Sequence, residues 1–190
     1  PGWGDGVAGL EAGPYDALMA NDSRVLGEQQ RATDPSSGAA REFLRLLTER
    51  GITVAGVASS GVSPVDATLV ASIESVPMSD VVAEMLANSD NNTAELLVKE
   101  IGYVSEASGT REAGTLVMAA TLEEWGIDTT SIVLSDGSGL SLDNRITCSA
   151  LLMILQRFEP DSTFVAGLPV AGQSGTLINV FTDHSLAGSL

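Results

Sequence analysis

Met85-Leu86-Ala87-Asn88-Ser89-Asp90-Asn91-Asn92-Thr93-Ala94-Glu95-Leu96-Leu97 reads as two helices meeting at a polar corner. Upstream, Val82, Met85 and Leu86 fall on one helical face; downstream, Ala94, Leu97, Val98 and Ile101 recur at helical spacing. The simplest reading of the polar residues between them is capping, with Ser89 closing the start of a helix that opens near Asn91. The same corner can aim Ser89 and Asn91 into a cleft, because neither side chain is committed to the core face of a helix.

Working outward, Asp34-Pro35 predicts a helix start, since proline at the first helical position loses no hydrogen bond. Ala40, Phe43, Leu44 and Leu47 carry that helix to a stop at Gly51, and Ile52-Thr53-Val54 follows as a short strand. Strand character recurs over 66–73, until Pro77. A helix starts at Ser79-Asp80, a longer one runs over about 109–125, and another, capped by Thr147, runs over 147–158. Ile132-Val133-Leu134 reads as a strand. Before residue 34 the chain is Gly-rich, with room for a short strand pair over 16–25 turning at Asn21-Asp22. The division expected is a lead-in segment, 1–33, and a mainly helical part, 34–190. Both ends look cut: Pro1 opens neither on Met nor on a signal peptide, and the chain stops at Leu190 without a helix stop or a polar tail. Helices outnumber short strands, as in an α+β layered domain with an incomplete sheet.

Composition narrows the chemistry. A net charge of −16 and an isoelectric point near 4.1 repel phosphates, which argues against nucleic acid or anionic lipid as partner. No apolar run is long enough for a membrane-spanning helix. Cys148 and His184 are the only residues of their types, so no disulfide or multi-histidine metal site can form within the chain, and no metal or cofactor is expected. Lys99 is the single lysine, preceded at three positions by Leu96 and followed by Glu100 and Ile101.

A second string, Asp136-Gly137-Ser138-Gly139-Leu140-Ser141, is a tight turn with Asp143-Asn144-Arg145 and a helix behind it. It lacks the leading glycine of a G-x-S-x-G elbow, and no G-K-[ST] follows to make a phosphate loop. With the Ser89-Asp90-Asn91 corner, in that order and spacing, it resembles the class C low-molecular-mass penicillin-binding proteins, the D-alanyl-D-alanine carboxypeptidases/endopeptidases of bacterial cell-wall turnover. Glu95 fits the acidic place early in the second helix of that family's S-x-N region. The resemblance extends to Tyr15-Asp16-Ala17-Leu18 with Asn21-Asp22, to Asp34-Pro35 with Gly51-Ile52-Thr53-Val54, and to Leu168-Pro169-Val170-Ala171-Gly172 with Gly175-Thr176-Leu177.

The resemblance implies part of a β-lactamase/transpeptidase-like serine peptidase domain, with helices packed on an antiparallel sheet. It implies Ser89 and Asn91 as catalytic residues, with Asp136, Gly137, Ser138 and Gly139 shaping the substrate site. It further implies a peptidoglycan stem peptide ending in D-Ala-D-Ala as substrate, β-lactams as acylating inhibitors of the complete protein, and an extracytoplasmic place in the bacterial envelope. The family's S-x-x-K and K-[ST]-G motifs are both missing from these residues. Gln173-Ser174-Gly175-Thr176-Leu177 looks like the latter with glutamine for lysine. The true strand is expected after Ala187-Gly188-Ser189-Leu190, so this chain alone is expected to be inactive. Two alternatives stand beside this one. One is a non-catalytic module on the same fold that binds cell-wall peptides or a protein; the other is an unrelated esterase or amidase using Ser138 with His184 and an aspartate.

Overall fold

The computed structural model describes residues 3–24, 31–180 and 182. Val25, His184 and 187–190 lie outside them, so the readings made on those residues are not addressed by it. The chain divides into two compact units, Asp5–Glu74 and Pro1–Gly4 with Ser75–Leu190.

In the Asp5–Glu74 unit, α1 spans Pro35–Glu49. Asp34 caps it by accepting from the Ser37 amide (2.9 Å) and hydroxyl (2.8 Å). Gly51, at φ +77°, ends it; the Ile52 amide bonds back to the Leu47 carbonyl and the Gly51 amide to that of Thr48. That pairing is the left-handed helix stop that glycine makes inexpensive. Asn21–Ser23 forms a 3-10 turn where a turn was expected.

The other unit holds α2 (Met78–Asn88), α3 (Asn91–Glu106), α4 (Arg111–Glu124), α5 (Cys148–Gln156) and the single turn α6 (Thr163–Ala166). Thr110, Thr147 and Ser162 each accept the backbone amide three residues on, capping α4, α5 and α6. Helices α3 and α4 pack most extensively, and glycine decides how closely. A Cβ on Gly114 would stand 1.9 Å from the Val98 carbonyl oxygen. Leu122, Ile127 and Ala150 form the buried core, with Trp125, Ile132, Leu134 and Ile154 packed around it. Trp125 meets Phe158 edge-on, and Phe158 stacks on Phe164.

Among the described residues there is no β-strand, only isolated bridges, so they do not bear out the expected sheet. Ile132-Val133-Leu134 pairs through Val133 alone, which exchanges both backbone bonds with Arg145 at 2.8 Å. Residues 52–54 and 66–73 lie exposed without a ladder. Period-2 patterning supplies one face of a strand, but a strand also needs a neighbour for its amides and carbonyls, and isolated pairs are marginal in water. The fold of these residues is therefore helical.

The buried stripe of α3 also differs from expectation. It runs through Asn92, Glu95, Val98 and Gly102 rather than Ala94, Leu97, Val98 and Ile101. Two polar side chains thus occupy core positions in the first two turns, and their bonding explains why.

Candidate active site

The corner between α2 and α3 consists of Ser89 and Asp90. Ser89 is left-handed (φ 55°, ψ 49°) and exposed, and the Asp90 amide bonds back to the Met85 carbonyl to close α2. A non-glycine residue held there costs on the order of 1 kcal/mol, a strain found repeatedly at functional positions. The α3 cap is Asp90, not Ser89. Its carboxylate accepts from the Asn92 amide (2.9 Å), the Thr93 amide (3.2 Å) and the Thr93 hydroxyl (2.5 Å). Asp90 takes the structural task that the capping reading gave to Ser89. Asn91 is the first residue of α3 and is half-buried.

One turn further on, Glu95 is completely buried. Its Oε1 accepts from the Gly137 amide (2.9 Å), the Ser138 amide (3.0 Å) and the Ser138 hydroxyl (2.8 Å). Its Oε2 accepts from Arg111 Nε at 2.8 Å, with the second arm of the guanidinium also at 2.8 Å. A carboxylate removed from water needs this many donors, because an unpaired buried charge costs several kcal/mol.

The loop 136–141 is thereby docked onto α3, and Gly137 permits the approach: a Cβ there would stand 2.5 Å from the Ala94 carbonyl oxygen. Within the loop Asp136 is the organiser. Its Oδ1 accepts from the Gly139 amide (2.9 Å) and the Asn144 side-chain amide (2.7 Å). Its Oδ2 accepts from the Ser141 amide (2.6 Å) and the Trp3 indole (2.9 Å). Burial works to raise its pKa, but the hydrogen bonds from Asn144, Trp3, Ser141 and Gly139 together outweigh it and hold the carboxyl below its ordinary value. The Arg111 guanidinium lies over the Trp3 ring, 5.4 Å from its centroid.

The site residues expected from sequence therefore fall into two groups. Ser89 and Asn91 stand at the corner, while Asp136, Gly137, Ser138 and Gly139 form one docked loop. Glu95, a single helical turn from Asn91, joins the two. The Ser138 hydroxyl donates to that carboxylate, which does not suit the esterase alternative, where it would donate to a histidine. Gly175–Leu177 is a 3-10 turn, not a strand, which separates it from a K-[ST]-G strand. Sequence reasoning missed Arg111 and Trp3. The signal available was the D-G-S-G string itself, whose clustered amides and hydroxyl call for an anionic acceptor.

No helix among the described residues is long and apolar enough to cross a membrane, and none of their His, Cys, Asp and Glu side chains group as metal ligands.

This helical arrangement has solved counterparts among the penicillin-binding proteins. Penicillin-binding protein 4 of Haemophilus influenzae, crystallised with a β-lactam, matches 83% of this chain and 38% of its own, with a TM-score of 0.64 and 25% identity. A D-alanyl-D-alanine carboxypeptidase of Actinomadura sp. (strain R39) is 35% identical over 177 residues, covering 87% of this chain and 32% of that protein. A carboxypeptidase of Mycobacterium tuberculosis is 31% identical over 206 aligned positions, all of this chain and 43% of the relative. The model of the D-Ala-D-Ala carboxypeptidase 3 (S13) family matches residues 17–190, and the chain belongs to that family. It spans about a third to two-fifths of the length of these relatives.

Proposed function

We propose that this chain forms the S-x-N wall of the active site of a serine-type D-Ala-D-Ala carboxypeptidase/endopeptidase. The protein would act on peptidoglycan stem peptides in the extracytoplasmic bacterial envelope. The observation that carries this reading is the corner itself: Ser89 strained and exposed, relieved of capping by Asp90, with Asn91 opening the next helix.

In the reaction, a serine contributed by chain outside these 190 residues, its proton taken by a lysine, attacks the D-Ala-D-Ala carbonyl; the amide C–N bond breaks, the terminal D-Ala leaves, and water then hydrolyses the acyl-enzyme. The Ser89 hydroxyl bridges that lysine and the leaving nitrogen and passes the proton across. The Asn91 amide donates N–H to the substrate carbonyl and accepts from a lysine with its oxygen. The loop 136–139 shapes the adjoining wall. β-Lactams acylate the same serine because they imitate the D-Ala-D-Ala end.

The test is fluorescent-penicillin labelling of the protein expressed from the uninterrupted reading frame around this segment. That protein takes up the label, and Ser89→Ala slows acylation about 10²- to 10⁴-fold, the range of general acid–base catalysis. The isolated 190-residue chain takes up none. An unlabelled complete protein overturns the reading, as does a covalent adduct on the isolated chain.

A further inference from the structure

We infer that Glu95 is a positioning residue for the Ser89–Asn91 pair, setting the rotation of α3 about its axis; the inference rests on the function proposed above. Asn91 and Glu95 are four residues apart, so they lie on one face of α3, one above the other. The first buried apolar side chain of α3 is Val98; before it only Asn92 and Glu95 are buried. Apolar contacts tolerate a small rotation of a helix. The Glu95 contacts do not, because they are angle-dependent and engage each carboxylate oxygen from a different element. Oε1 is held by the loop through Gly137 and Ser138, and Oε2 by the start of α4 through Arg111. The two-residue corner leaves no slack between α3 and Ser89, so a turn of α3 moves both polar side chains together. Arg111 is itself steadied over Trp3, whose indole donates to Asp136 of the same loop.

A displacement of about 1 Å at a reacting group costs on the order of 10²-fold in rate. The experiment measures acylation of the complete protein by a fluorescent penicillin, separated into affinity and limiting rate and expressed per folded molecule. Glu95→Gln keeps the side-chain volume but loses the charge-assisted fork; its limiting rate falls about 10- to 100-fold with affinity little changed. Leu122→Ala, in the apolar core, serves as the control of lowered stability and acylates at the parental rate. If Glu95→Gln does not fold, Arg111→Lys decides: it keeps the charge, loses the fork and slows the limiting rate several-fold.

Parental rates in both site variants overturn the positioning role and leave the functional reading standing, and so does an equal slowing in Leu122→Ala. A complete protein that penicillin does not acylate at all overturns both.

Discussion

The Ser138 hydroxyl sits 2.8 Å from the buried carboxylate of Glu95, across forty-three positions of chain. This contact gives a serine in an exposed-looking Gly-rich string a structural partner. Ser138→Ala removes one of the carboxylate's donors while both loop amides stay. A loss of about 1.5–3 kcal/mol is expected, the range for hydrogen bonds to charged groups, read from urea unfolding.

Ser89 and Asp90 are adjacent but have opposite stability signatures. Asp90→Ala removes the α3 cap and destabilises by about 0.5–2 kcal/mol. Ser89→Gly relieves a left-handed non-glycine residue and stabilises by up to about 1 kcal/mol, although it deletes the hydroxyl assigned to proton relay. Thermal melts of the two variants should move in opposite directions. A Ser89→Gly variant that melts lower would contradict the strain assigned to this corner.

At Gly114 a methyl group has nowhere to go, because the Val98 backbone would be its neighbour. Gly114→Ala forces α3 and α4 apart and costs more than about 1–3 kcal/mol, the usual range for overpacking, since the obstacle is backbone. Ala substitution at Gly4, which has open space around it, provides the comparison in the same unfolding assay.

Acid should loosen the 136–141 loop. The Asp136 carboxyl is held below its ordinary value of 3.8, so the folded state binds its proton less readily than the unfolded chain. Its contribution is fully present above the unfolded pKa and is lost as pH falls through the lower, folded value. Melting temperatures recorded from about pH 5 downward should therefore fall less steeply for Asp136→Asn than for the parent below about pH 4. Parallel acid limbs would remove Asp136 as a contributor.

Several helix ends were legible in the sequence because a single local residue decides them. Asp34 with Pro35, Gly51 and Thr147 act through short-range geometry: a side chain reaching an amide three residues on, or a glycine taking a left-handed turn. The polar corner at Ser89 and Asn91 was legible for the same reason, as was the turn at Asp136. The short apolar runs were legible as strand-like patterns only, because pairing depends on a neighbour that no local pattern names.

The sequence by itself thus determined the order of the longer helices, the caps at Asp34 and Thr147, and the family to which the Ser89 and Asp136 strings belong. Tertiary structure alone decided that Asp90, rather than Ser89, caps α3, since the competition depends on which side chain the corner turns toward the free amides. It also decided that Asn92 and Glu95 lie inside. An acidic residue on a helix is ordinarily solvated; Glu95 is buried because Gly137 and Gly114 let a loop and a second helix come close enough to surround it with donors. Those donors come from positions 111, 137 and 138, and only the folded chain brings them to one carboxylate.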